Sequence, residues 1–152
     1  MTIEKKFSLM IVLMILSLLA ACGGGSSAGS DSAAGGETGL IVGEHSYTVA
    51  DLEGMAKTEA VFNDVTYVGV PLADLLADAG YDLGSLRAVK AVASDGYSVN
   101  YEPSQLSPGD VLVAYATVDG ALNEDDGVFR MVLPDQEGSM NLRMLVELQV
   151  VE

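Results

Sequence analysis

Two arginines, Arg130 and Arg143, have the residue type and position to hold an anion in a chain short of positive charge. The sequence has seven Lys and Arg against twenty-two Asp and Glu, a formal net charge of −15. Arg130 interrupts an apolar run, Phe129-Arg130-Met131-Val132-Leu133, and Arg143 opens the last one. An arginine in mid-strand either pairs with a nearby carboxylate, here Asp126 or Glu147, or turns its planar fork to an anionic ligand such as a phosphate. The acidic run Asn123-Glu124-Asp125-Asp126 offers hard oxygens that could hold Ca²⁺, although it lacks the alternating spacing of an EF-hand loop. Asp135-Gln136-Glu137-Gly138 is a weaker version of the same pattern. His45 is the single histidine, so a multi-histidine metal site is excluded. Cys22 is the single cysteine, so there is no Cys–His nucleophile pair; neither a G-x-S-x-G elbow nor a phosphate-binding G-x-x-x-x-G-K loop occurs.

The elements that would position these residues are short strands around one helix. Leu72, Leu75, Leu76 and Ala79 fall at i, i+3, i+4 and i+7, one apolar stripe that predicts a helix opened by Pro71 and stopped by Gly80. Thr48 and Asp51 have the spacing of a capping box at the head of a short helix over Ala50 to Met55. Strands are expected over Leu40–Val42, His45–Val49, Ala60–Phe62, Val65–Val68, Ala88–Ala93, Tyr97–Tyr101, Asp110–Val118, Phe129–Leu133 and Leu142–Val151. Asn63-Asp64 and Asp95-Gly96 read as hairpin turns, and Pro103–Leu106 as a helical turn. The fold class is α+β: a β-rich, mixed-sheet or barrel-like domain with one main helix and short helical turns.

The N-terminal part has a different character. Lys5 and Lys6 precede an apolar run from Phe7 to Ala21, too short for a comfortable membrane span and shaped like a secretory signal. Leu19-Ala20-Ala21-Cys22 resembles the lipobox of bacterial lipoproteins, which implies cleavage before Cys22 and lipid attachment to its sulfur. Residues 1–21 would then be a signal peptide, and 22–39 a lipidated Gly/Ser-rich tether. Such a tether typically reaches about 20–25 Å at ~5–6 Å × √n. Cleavage would leave five basic residues against twenty-one acidic, a net charge of −16. A surface that acidic repels nucleic acid and anionic headgroups, so the expected membrane contact is through the lipid alone, outside the cytoplasm. The domain itself is expected over residues 40–152.

Five blocks of that domain, in order, resemble the molybdopterin-binding domain of sulfite-oxidase-type oxidoreductases. Val68-Gly69-Val70-Pro71-Leu72 with Leu75-Leu76 is similar to the family's W-x-G-V-P-L-x-x-L-L, and Ser94-Asp95-Gly96-Tyr97 to its x-D-G-Y hairpin. Asp110 to Tyr115, then Asp119-Gly120-Ala121-Leu122, is similar to D-x-L-L-A-Y-x-x-N-G-x-x-L. Asp126 to Pro134 is similar to H-G-x-P-x-R-L-V-V-P, and Leu142 to Val150 to the closing V-K-W-L-x-x-I-x-V.

The resemblance implies molybdopterin as cofactor, with Arg130 and Arg143 on its phosphate and the Asp95-Gly96-Tyr97 turn lining the pocket. It also implies a cysteine ligand to molybdenum from upstream of the G-V-P-L block, yet Thr58 to Thr66 contains no cysteine. Asp126 stands at the motif's histidine, Arg143 at its lysine and Met144 at its tryptophan. The expectation is a shortened, lipid-anchored relative that binds an anionic pterin- or nucleotide-like ligand without thiolate–molybdenum catalysis. Its alternatives are an active molybdopterin-dependent oxidoreductase subunit and an acidic Ca²⁺-dependent surface module.

Overall fold

Period-two alternation in the sequence becomes ten short strands, which form two five-stranded sheets in a computed structural model describing residues 39–152. Strand β1 (Leu40–Val42) turns into β2 (His45–Tyr47), and helix α1 (Val49–Glu53) follows. The hairpin β3 (Thr58–Phe62) and β4 (Val65–Pro71) leads into helix α2 (Leu72–Asp78). A second hairpin, β5 (Ala88–Ala93) and β6 (Ser98–Tyr101), precedes the helical turn α3 (Pro103–Leu106). Then come β7 (Leu112–Thr117), β8 (Gly120–Ala121), β9 (Arg130–Val132) and β10 (Leu145–Val151). The first sheet has the order β2-β1-β10-β5-β6 and is mixed, because β1 pairs parallel with β10. The second has the order β3-β4-β7-β8, with β9 lying on the same edge of β7 as a separate short pairing.

Local chemistry explains the helix ends. At α1 the Thr48 hydroxyl accepts from the Asp51 N–H, and the Asp51 carboxylate accepts from the Thr48 N–H at 2.7 Å, the reciprocal cap expected from the spacing. At α2 all four stripe residues are buried, Leu72, Leu75 and Leu76 completely. Gly80 (φ +85) ends the helix in a left-handed turn, with Gly80 N–H donating to Ala77 and Tyr81 N–H to Leu76. Pro71 is not the first helical residue. It stays extended (ψ 132) as the last residue of β4, held there by its pairing with Leu112.

Leu72, Leu75 and Leu76 share one core with Leu40, Val89 and Leu148 from the first sheet and Val70, Val113 and Met131 from the second. Burying each such side chain contributes roughly 1.5–3 kcal/mol. A smaller cluster of Ala60, Tyr67, Leu112, Ala114 and Val132 lies on the other face of the second sheet.

The expected β-rich α+β fold is the one found, in its mixed-sheet rather than its barrel-like form. No strand of one sheet pairs with the other, so the sheets stay open and close on each other through side chains. The last strand begins at Leu145 rather than Leu142, because Met144 has a positive φ (+52) that strand geometry does not admit. Among the described residues no helix is long and apolar enough to cross a membrane. The expected signal peptide, the expected lipidation at Cys22 and the expected tether up to residue 38 lie outside the described residues.

Candidate functional site

Strand β9 is three residues long, and its alternation decides where Arg130 points. Met131 faces the main core, so Arg130 and Val132 face the smaller cluster. There Arg130 is only 5% exposed and Asp126 only 3%. Arg130 Nη1 donates to Asp126 Oδ1 at 2.6 Å and to the Tyr67 hydroxyl at 2.8 Å. Nη2 and Nε make longer contacts to the carbonyls of Asn141 and Met131. The guanidinium carbon also lies 4.5 Å from the Tyr67 ring centre and 5.9 Å from that of Phe62, within cation–π range. Burial pushes the Tyr67 phenol up from its ordinary pKa; Arg130 pulls it back, Asp126 adds to the rise, and Arg143 pulls it down again.

Asp126 is held from its other side as well. Asn123 Nδ2 donates to Asp126 Oδ2 at 2.8 Å, and the Asp126 N–H donates to Asn123 Oδ1. Met144 N–H donates to the Asp126 carbonyl at 2.8 Å, and Ser94 N–H to the Met144 carbonyl. These two bonds hold Met144 in its left-handed conformation, which costs a bulky side chain roughly 1–3 kcal/mol. Gly127 (φ +76) makes the turn possible, since a Cβ there would lie 2.8 Å from Met144 Cα. Asn141 ties down the preceding loop: its Oδ1 accepts from Leu133 N–H, and its Nδ2 donates to the carbonyls of Leu133, Gln136 and Glu137.

Two cavities flank Arg143, which is exposed. One, of about 460 Å³, is lined by Asp95, Tyr97, Glu124, Asp125 and Arg143 among others. The second, of about 380 Å³, is lined by Phe62, Asn63, Tyr67, Asn123, Asp126, Arg130 and Arg143, and shares Gly138 and Asn141 with the first. Arg130 and Arg143 are therefore brought to one cavity. They are not equivalent: Arg130–Asp126 is the one salt bridge among the described residues, so Arg143 has no carboxylate within 4.0 Å.

The hairpin tip supplies Asp95 and Tyr97 to the larger cavity, while Gly96 (φ +88) makes the turn. The acidic run splits, with Glu124 and Asp125 facing the larger cavity and Asn123 and Asp126 the smaller. No group of three or more His, Cys, Asp or Glu side chains could hold a metal among the described residues. Of the carboxylates proposed for Arg130, Asp126 is the partner. Glu147 sits on β10 between Ile41 and Val92, in the other sheet. Sequence reasoning placed no role on Phe62, Asn63, Asn123 or Asn141 at this cavity, and only long-range strand pairing brings Tyr67 to Arg130.

Among families of known proteins, the oxidoreductase molybdopterin binding domain matches residues 41–152. The chain belongs to this family. The sulfane dehydrogenase SoxCD from Paracoccus pantotrophus, a solved structure, aligns with a TM-score of 0.65 at 21% identity. The alignment covers 74% of this chain and 38% of that one, so the likeness is one of fold and this chain spans well under half of its counterpart. No curated protein matches.

The residues present do not fit the family's cofactor held through a thiolate. Residues 39–152 contain no cysteine, and the buried arginine already has an internal carboxylate. What remains for an anionic group is the Arg143 side of the smaller cavity.

Proposed function

We propose that this chain is an extracytoplasmic, lipid-anchored protein whose molybdopterin-binding-type domain holds a small anionic ligand, pterin- or nucleotide-like, without thiolate–molybdenum turnover. The observation that carries the reading is the smaller cavity. Its volume of about 380 Å³ lies in the range of small-molecule sites, and Arg143 enters it with no carboxylate partner. Phe62 and Tyr67 give that cavity aromatic walls for a flat ring, and Arg130 balances Asp126 behind them. The absence of any cysteine from the domain supports the part of the reading without turnover. The apolar run closing on Leu19-Ala20-Ala21-Cys22 supports the anchor.

Family membership favours a second reading, an active molybdopterin-dependent oxidoreductase subunit. Metal and pterin analysis of protein purified from its native host separates the two. The first reading expects sub-stoichiometric molybdenum and tungsten; one molybdenum per chain would overturn it. For the anchor, Cys22→Ser is expected to move the protein from the membrane fraction to the soluble one. A variant that stays membrane-bound and uncleaved would refute lipidation.

A further inference from the structure

The Arg130 guanidinium lines the smaller cavity, yet its shortest bonds are both made inside the protein. Arg carries five N–H donors. Both donors of Nη1 are used, on Asp126 at 2.6 Å and Tyr67 at 2.8 Å, whereas Nη2 has a single long contact of 3.4 Å. The carboxylate cannot easily swing away. Asn123 holds its second oxygen, and Met144 N–H holds its carbonyl. Asp126 thus fills the place of an external anion, at the distance of a charge-assisted hydrogen bond.

We infer that Asp126 is a specificity-determining residue: an internal anion that closes Arg130 to ligands and limits the cavity to groups of a single negative charge, such as a carboxylate or phosphodiester. The charges around the cavity lead to this choice. Arg130 and Asp126 cancel, so Arg143 alone supplies uncompensated charge. A monoanion meets one cation there. A dianionic phosphate monoester would have to set its second charge against Asp126, whose carboxylate is only 3% exposed and so incompletely screened. This deepens the ligand reading above by naming the charge class, and Asp126 can be tested separately from it.

Inorganic phosphate is the probe, titrated at pH 7.5 against the wild type, Asp126→Asn and the double variant Asp126→Asn/Arg130→Met, with chloride matching the ionic strength. Asparagine keeps the size of the side chain and removes the charge; with its Oδ1 still accepting from Asn123 Nδ2, its amide NH2 faces Arg130, which loses its internal acceptor. Asp126→Asn is expected to bind phosphate about tenfold or more tightly than the wild type, as one uncovered charge-assisted contact allows, with a melting temperature that rises with phosphate. The double variant should lose both effects. The inference is overturned if Asp126→Asn shows no gain, or if the gain survives removal of Arg130. It is equally overturned if Asp126→Asn stays unfolded at every phosphate concentration while the double variant folds. A wild type that also fails to bind a monoanion, with dimethyl phosphate as the probe, beside a phosphate gain in Asp126→Asn, would instead overturn the ligand reading and leave the role of Asp126 standing.

Discussion

The two cavities beside Arg143 share three wall residues and differ in what their carboxylates do. In the larger one Asp95, Glu124 and Asp125 line the walls around a single arginine. In the smaller one the only carboxylate, Asp126, is folded inward onto Arg130. Formally the first carries a net charge of −2 and the second +1. In a chain of net charge −15, positive potential is obtained here by hiding a carboxylate rather than by adding arginines. The acidic loop 123–126 makes both surfaces, and its direction changes within one residue, between Asp125 and Asp126.

The strongest way to break this contrast is Arg130→Met. It strands a buried carboxylate, and losing one partner of a buried pair costs about 3–5 kcal/mol. Chemical denaturation should show that loss; a stability within 1 kcal/mol of the wild type would mean that Asp126 reaches water unaided. Arg143→Met should act on binding instead. Loss of one charge-assisted contact should weaken anion affinity about tenfold, with the melting temperature unchanged. Unchanged affinity would remove Arg143 from the site. The smallest effect is expected from Glu124→Gln with Asp125→Asn, which makes the larger cavity less acidic. Anion affinity in the smaller cavity should rise by a few-fold at low salt, and the gain should fade near 0.15 M, where the Debye length is about 8 Å. A gain that survives high salt would show that the two cavities are one site.

What the sequence made legible was local. Thr48 and Asp51, three residues apart, fix their own cap, and Asn63-Asp64 turns its own hairpin with positive φ at both residues. The ordered blocks from Val68 to Val150 led to the family that residues 41–152 match. Arg130 was legible as an arginine needing a partner, but not which one, since spacing does not show that Asp126 turns inward from the loop before β9 while Glu147 lies on β10 in the other sheet. Tyr67 reaches Arg130 through the pairings of β4 with β7 and β7 with β9, a relation with no sequence spacing. The inward turn of Asp126 depends on Gly127 packing against Met144, so the acidic run read as a single Ca²⁺ candidate. The choice between the mixed-sheet and the barrel-like form was not legible for a related reason: alternation gives each strand its faces but not its neighbours.

The parallel pairing of β1 with β10 has a consequence for how the chain reaches this state. Ile41 sits opposite Glu147 and Val42 opposite Leu148, and β10 lies in the middle of its sheet, between β1 and β5. The other sheet is built entirely from residues 58–132, and two of its four pairings, β3 with β4 and β7 with β8, are hairpins. Closing a loop of such length is entropically slow, and contacts near in sequence form first. We therefore expect a folding chain to hold β3, β4 and β7 together while β1 waits for its neighbour. In pulse-labelled hydrogen exchange during refolding, amides of β4 and β7 should gain protection before those of β1 and β10. Simultaneous protection would mean that both sheets condense in one step. On this ordering, completion of the fold waits for β10, and until it pairs, Leu40 and Val42 lack the strand that completes their side of the core.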